Sequence, residues 1–393
     1  MAWTLALRRD ETLPAVLTRS CPSDRIHWSF VDERHAEAVD GAQDLITVLR
    51  PLDPHRKPGH ECPGPADADP GVTLAQGGRH IVAHDRELFQ VVGPDPPVTG
   101  FGLQPQPHGL DAADTIDTAL VTGGFPEVTA QWQPGMTLRD FLSDQLNDPL
   151  SPLLIAGQLT MLGEFPEATQ ARAVLEAIGA GERTFGTIAQ AAAGGSSALP
   201  SEALTPALGQ LISRDVVAAD LPLSTANSDR DKRYRIADPY LRFWLAFLSR
   251  AGAEAERGTG DRSVQRVLGS FPSWRGRAVE PLIRSSLARL LPNDRWSDAN
   301  EVGGWWNRQN NPEIDLVAVD RTPATRSVAF AGSIKWLEQQ PFDQRDLAAL
   351  VAGANQIPGA ENASLVAVTR AGTAPDLGLD HTWTPTDLVD AWR

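Results

Sequence analysis

Three apolar runs near the C-terminus limit what this chain can fold into: "EIDLVAV" from Glu313, "SVAFAGSI" from Ser327 and "SLVAV" from Ser364. A strand with one wet face alternates apolar and polar residues, and these runs are nearly continuous. They therefore read as strands of a sheet covered on both sides. Helical patterns stand around them. "WRGRAVEPLIRSSLARLL" reads as one amphipathic helix, "FDQRDLAALVAGANQIPG" as a second and "TPTDLVDAWR" as a capped terminal helix. "GGWW" reads as part of a loop before the first strand, and His381 as a loop residue. Residues 273–393 are expected to form an α/β domain.

Upstream, the texture changes at Leu110. Asp111 is a candidate helix cap, the Gly123-Gly124 pair ends that helix, and Thr137 caps another that breaks at Pro149. Residues 109–163 are a small helical subdomain. Residues 164–238 supply three short helices and two strands around a polar loop, the pattern of a winged helix-turn-helix. Residues 239–272 follow as connecting helices, where Tyr240, Phe243, Trp244 and Phe247 form an aromatic face suited to packing. Residues 1–108 differ from the rest. They hold seven of the eight histidines and clustered prolines. Short strands are expected at 44–50, 79–84 and 88–92, with irregular structure around them and disorder between 52 and 75.

No apolar run approaches a membrane span, no signal peptide is read, and Cys21 and Cys62 give no disulfide framework. A cytoplasmic protein without membrane contact is expected. The net charge of −15 argues against unspecific binding to phosphate backbones. Between Asp229 and Asp298, however, fourteen Arg and Lys face nine Asp and Glu. DNA contacts are expected from Arg214 on the third winged-helix helix and from Arg230, Lys232, Arg233 and Arg235 on the wing. Packing of the wing between domains is the competing expectation. His55, His60 and Cys62, with Cys21, are weighed as zinc ligands against exposed loop residues.

The chain has three lysines, and one of them, Lys335, sits in an apolar strand. A compact nuclease site needs carboxylates for Mg²⁺ and a cation near the scissile phosphate. Strand alternation puts Glu313 and Asp315 on one face, and Ser333 and Lys335 on one face of the next strand. The second acid is replaced by Ser333. Glu280, on the preceding helix, could contribute at the rim.

This layout resembles the PD-(D/E)XK nuclease-like fold, with Asp315 at the first acid and metal position, Ser333 at the second and Lys335 at the lysine. "VTGGFPE", "YRIADPYLRFWLAFL", "WWNRQNNPEIDLVAV" and "GSIKWLE" together resemble the archaeal-type ATPases of the AAA+/STAND group. The resemblance covers about residues 110–393. It implies a helical lid, a winged helix and a C-terminal nuclease-like domain behind an ATPase core. None of the three lysines lies in a G-x-x-x-x-G-K-[ST] loop, so no ATP site is visible. Asp32 and Glu33 are weighed as the acidic strand end of such a core. A gene truncated or frame-shifted at its 5′ end is the expectation for residues 1–108.

Three functions follow as expectations. The first is an ATP-binding-family protein without its phosphate loop, acting as a regulatory module on DNA or a protein partner. The second is a Mg²⁺-dependent DNA endonuclease built on Glu280, Asp315 and Lys335. The third is a winged-helix transcription regulator. The cofactor is left open between Mg²⁺ and none.

Overall fold

A computed structural model describes the strands Ala6–Arg9 (β1), Leu13–Thr18 (β2), His27–Phe30 (β3) and Ile81–Val82 (β4), and residues 109–164, 170–194, 197–226, 231–309 and 311–393. The chain divides into two units, Met1–Pro94 and Asp95–Arg393. In the first unit the four strands form an antiparallel sheet in the order β1-β2-β3-β4, with Ala6 opposite Val16 and Ala15 opposite Phe30. Of the strands expected there, only 79–84 overlaps a described one, β4. The other two, the 52–75 stretch, Asp32, Glu33 and the candidate zinc ligands Cys21, His55, His60 and Cys62 lie outside the described residues.

The second unit opens with helices. α1 (Ala112–Thr122) starts where the Asp111 carboxylate accepts from Asp114 N at 2.7 Å, and stops at Gly123, whose φ of 58° favours glycine. A short α2 (Pro126–Thr129) precedes α3 (Leu138–Asn147), which carries a capping box between Thr137 and Asp140. α4 (Pro152–Glu164) begins after the expected break at Pro149. α5 (Gln170–Gly179), α6 (Phe185–Ala192) and α7 (Ser201–Ser213) come next. They are followed by the antiparallel pair β5 (Val217–Asp220) and β6 (Arg233–Ile236), with Val217 opposite Ile236.

α8 (Pro239–Phe243) runs directly into one π-helical stretch, Trp244–Leu248. Its aromatic face is packing, as expected: Tyr240 and Phe243 are buried, and Phe243 meets Trp274 and Phe271 edge-on. Two of these side chains enter the backbone ladder of α4. Gly157 N donates to Tyr240 Oη at 2.6 Å, and Tyr240 Oη donates on to the Leu153 carbonyl at 2.8 Å. Trp244 Nε1 donates to the Leu154 carbonyl at 3.2 Å. A hydroxyl thus bridges a donor and acceptor that would bond each other in an undisturbed helix. Gly157 leaves room for this, since a Cβ there would lie 2.3 Å from the Trp244 ring. Gly157→Ala is expected to lose about 1–3 kcal/mol in urea unfolding, because the indole has nowhere to retreat in a packed core. A variant as stable as the parent would contradict that geometry.

α9 (Ala251–Glu256), α10 (Gly260–Ala278) and α11 (Glu280–Leu290) lead to the sheet. The single helix expected over 274–291 is two. Pro281 has no N–H to give the carbonyl of Arg277, and the chain breaks at Val279. The freed carbonyls of Arg277 and Ala278 instead accept from the Arg242 guanidinium, at 3.3 and 3.5 Å. α10 runs through residue 273, the expected start of the last domain.

The sheet has five strands, ordered β11-β10-β9-β8-β7: β7 (Glu301–Trp306), β8 (Glu313–Val319), β9 (Val328–Lys335), β10 (Ser364–Thr369) and β11 (His381–Trp383). β7, β8 and β9 are antiparallel neighbours, while β10 lies parallel to β9 and β11 parallel to β10. α12 (Gln344–Ala354) links β9 to β10, and α13 (Pro385–Asp390) ends the chain. Leu316, Ala318, Phe330, Val366 and Val368 pack with α1, α11 and α13, while Val317, Val319, Ala331 and Ala367 pack with α12. Both faces are covered, as the apolar runs required.

Two expectations about this sheet are corrected. "GGWW" belongs to β7, and His381 lies in β11. The glycines disguise β7, and each makes room for a neighbour. A Cβ on Gly303 would sit 2.7 Å from Leu223, and one on Gly304 would sit 2.6 Å from the Arg284 guanidinium. β11 is three residues on a sheet edge, too short to show a period. Among the described residues, no helix is long and apolar enough to cross a membrane.

Candidate functional site

The ladder between β8 and β9 is paired from Leu316 and Gly332 onward, so the preceding residue Asp315 stands where the two strands part. Its carboxylate reaches across. Oδ2 accepts from the backbone N–H of Ile334 at 2.8 Å and from Ser333 Oγ at 3.1 Å. The serine at the missing acid therefore supplies a donor to the first acid. Burial pushes the Asp315 carboxyl above its ordinary value, against the opposing pull of the Ile334 N–H, Arg284 and Ser333.

Arg284, one turn into α11, joins Asp315 to Glu280. Its Nε and Nη2 fork onto the Asp315 carbonyl at 2.9 and 2.7 Å, and Nη2 also reaches Glu280 Oε2 at 3.2 Å. The Glu280 side chain is 14% exposed. Burial, reinforced by the charges of Asp315 and Glu313, pushes Glu280 up to about 7 although Arg284 and Arg242 pull the other way.

Glu313 stays close enough to Glu280 and Asp315 for its charge to act on both, but its carboxylate turns to arginines. It accepts from Arg183 through both oxygens at 3.3 Å and is bound at short range by Arg233. Burial opposes its charge, but the two guanidiniums prevail and hold it below its ordinary range. Lys335 turns to another partner as well. Nζ donates to both carboxylate oxygens of Asp346, at 3.0 and 2.9 Å, in the first turn of α12. The structure thus brings Glu280, Asp315 and Ser333 around Arg284, and sends Lys335 to Asp346.

The residues expected on DNA divide. Arg214 caps the C-terminus of α7 and is exposed, as is Lys232, while Arg230 lies outside the described residues. Arg233 is buried, its guanidinium 4.1 Å from the Trp306 ring centre, and Arg235 pairs with Asp220 at 2.9 Å. The expectation that Arg233 reaches outward to phosphates is therefore corrected. Glu313 of β8 and the Trp306 ring of β7 draw the side chain in.

Mg²⁺ takes six or so oxygen ligands with nearly octahedral geometry. Among the described residues, no group of three or more His, Cys, Asp or Glu could hold a metal ion. Asp315 spends one oxygen on two protein donors, and Glu280 is bound to Arg284. These donors do not fit the ion that Asp315 was expected to hold.

Sequence reading missed Asp346, Arg284, Arg183 and Arg242. The i, i+4 spacing of Glu280 and Arg284 was the one local signal available for any of them.

Residues 244–347 match the model of the DUF234 family, described as archaeal and bacterial proteins of unknown function. That segment carries Glu280, Asp315, Ser333, Lys335 and Asp346. An uncharacterized protein of Methanocaldococcus jannaschii is 24% identical over 209 residues, which is 53% of this chain and 45% of the relative. The chain thus spans less than half the length of that relative. No solved structure matches the chain.

Proposed function

We propose that this chain is a non-catalytic regulatory or partner-binding module of the archaeal-type ATPase group, with a nuclease-like domain that has become a scaffold. One observation carries this reading: the two groups that would do chemistry are committed to the protein. The Asp315 carboxylate serves Ser333 and the Ile334 N–H, and the Lys335 ammonium serves Asp346. An acid that must bind a metal, and a lysine that must meet a phosphate, would need those lone pairs and protons available.

The arrangement of elements supports the group. α5, α6, α7 and the β5–β6 hairpin have the order of a winged helix. A helix, three antiparallel strands, a crossover helix and a parallel strand have the order of a nuclease-like core. The family match over 244–347 begins after the hairpin and runs into α12 of the nuclease-like part. Arg233 and Arg235 on the hairpin bind Glu313 and Asp220, which favours a wing that packs over one that reads DNA.

Supercoiled plasmid DNA incubated with the protein and Mg²⁺ or Mn²⁺ is expected to stay intact, equally for the parent and for Asp315→Ala. Nicking by the parent that disappears in the variant would replace this reading with the endonuclease.

A further inference from the structure

Beside the Asp315 cluster lies a small cavity whose walls are dominated by guanidinium groups. Arg183, Arg233, Arg235, Arg242, Arg277 and Arg284 line it. They come from five places in the chain: the turn after α5, strand β6, and helices α8, α10 and α11. Three carboxylates line it as well, Asp220, Glu280 and Glu313. The pairing can be followed group by group. Glu313 takes Arg183 and Arg233, Asp220 takes Arg235, and Glu280 takes Arg284. Among the described residues, no carboxylate lies within ion-pair distance of Arg242 or Arg277. Arg242 donates only to two carbonyls, at 3.3 and 3.5 Å, and Arg277 is exposed at the cavity's edge. Among the described residues, six guanidiniums and three carboxylates thus line the cavity.

Surplus positive charge along a partly closed wall is costly unless an anion shares the space. Guanidinium forks match the oxygen spacing of phosphate, and several of them together select a multiply charged oxyanion over chloride. The cavity's size narrows the ligand further. Its volume is about 30 Å³, and a water needs roughly 10–15 Å³ on the same measure. That is room for roughly two or three waters, the scale of one small oxyanion and far too little for a nucleoside. The Arg233 guanidinium sits over the Trp306 ring, 4.1 Å from its centre, so part of the wall is already in place.

We propose that this cavity binds the phosphate group of inorganic phosphate or of a small phosphate monoester whose remainder stays outside, past Arg277. Arg242 supplies a charge that no carboxylate among the described residues meets at ion-pair distance, although Glu280 and Asp220 act on it from farther off. Burial draws the Arg242 guanidinium down to about 10, which leaves it a cation at neutral pH. The site uses neither Asp315 nor Lys335, the two groups that carry the function proposed above.

Calorimetric titration of the full chain with inorganic phosphate, at constant ionic strength set with chloride, tests the site. Saturable binding at one equivalent is expected. Arg242→Met keeps the side-chain bulk and is expected to weaken binding about tenfold or more. Arg277→Gln is exposed and safe for folding, and is expected to weaken it about threefold. Arg262→Gln, exposed on α10 and outside the cavity wall, is expected to leave it unchanged. A second titration with adenosine 5′-monophosphate separates the sources: equal binding assigns the site to esters, and binding of phosphate alone assigns it to the free ion. Phosphate that binds no better than chloride, or binding that Arg277→Gln leaves untouched, would overturn the proposal.

Discussion

Asp117→Asn is expected to lose about 3–5 kcal/mol of stability, the usual cost of removing one partner from a buried ion pair. Asp117 lies on α1, and its side chain is 13% exposed. Three distant segments converge on it. Arg275 of α10 and Arg370, just after β10, donate to Oδ2, and Trp336, just after β9, donates through its indole N–H to Oδ1 at 3.0 Å. Burial raises the carboxyl above its ordinary value, and the two guanidiniums oppose that rise. The cluster is therefore not a large source of stability. Breaking it is costly for another reason, since an amide sets its NH₂ against either the two guanidiniums at Oδ2 or the Trp336 N–H at Oδ1, while both cations lose the Asp117 charge. The Arg275 side chain is only 3% exposed and cannot turn to water. Glu338, at 3.0 Å from Arg275, and Asp114, at 2.9 Å from Arg370, are more than half exposed and return part of the loss. The lower half of the range is the better expectation. Urea unfolding followed by tryptophan fluorescence measures it, with exposed Asp294→Asn as a control that should stay within about 0.5 kcal/mol. Equal midpoints for the two variants would show that the arginines find other partners.

The second large effect depends on pH. Glu280 is pushed up to about 7 in the folded chain from an ordinary value of 4.5. Between those values the folded chain keeps a proton that the unfolded chain has released. Its contribution is fully present below about pH 4.5 and is lost as pH rises through about 7. At about 1.4 kcal/mol per unit, the loss amounts to about 3 kcal/mol. The groups facing Glu280 are Arg284 and Arg242, which favour its charge, and Asp315 and Glu313, which oppose it. Glu280→Gln carries no charge at any pH. It is expected to match the parent near pH 4.5 and to exceed it by up to about 3 kcal/mol at pH 8, measured in phosphate-free buffer. Taking the difference between the two proteins cancels every other titrating group. Parallel stability curves across that range would mean that Glu280 titrates in the fold as it does in the unfolded chain.

Sequence reading found most of the elements from Ala112 onward because their signals are local. Asp111, Gly123, Thr137 and Pro149 mark helix ends through their own backbone preferences, and continuous apolar runs mark covered strands. It failed where a remote group sets the local structure. Gly303 and Gly304 look like loop residues until Leu223 and Arg284 are brought beside them. The candidate site was half legible for the same reason. The nuclease-like resemblance put Asp315 and Ser333 in one site, but no spacing could assign Lys335 to Asp346 or Glu313 to Arg183 across 130 residues. The arginine-lined cavity was invisible, because its arginines come from five stretches of an arginine-rich chain.

Tyr240 completes a backbone connection inside a helix that ends 76 positions earlier in the chain, and it does so beside a glycine that admits the Trp244 ring. Positions 157, 240 and 244 are consequently not free to diverge one at a time. A relative with a bulkier residue at 157 must have given up the indole, and one without the phenol must close the Leu153–Gly157 link directly. Such compensated triples are what a comparison of related chains should contain wherever this contact has been inherited.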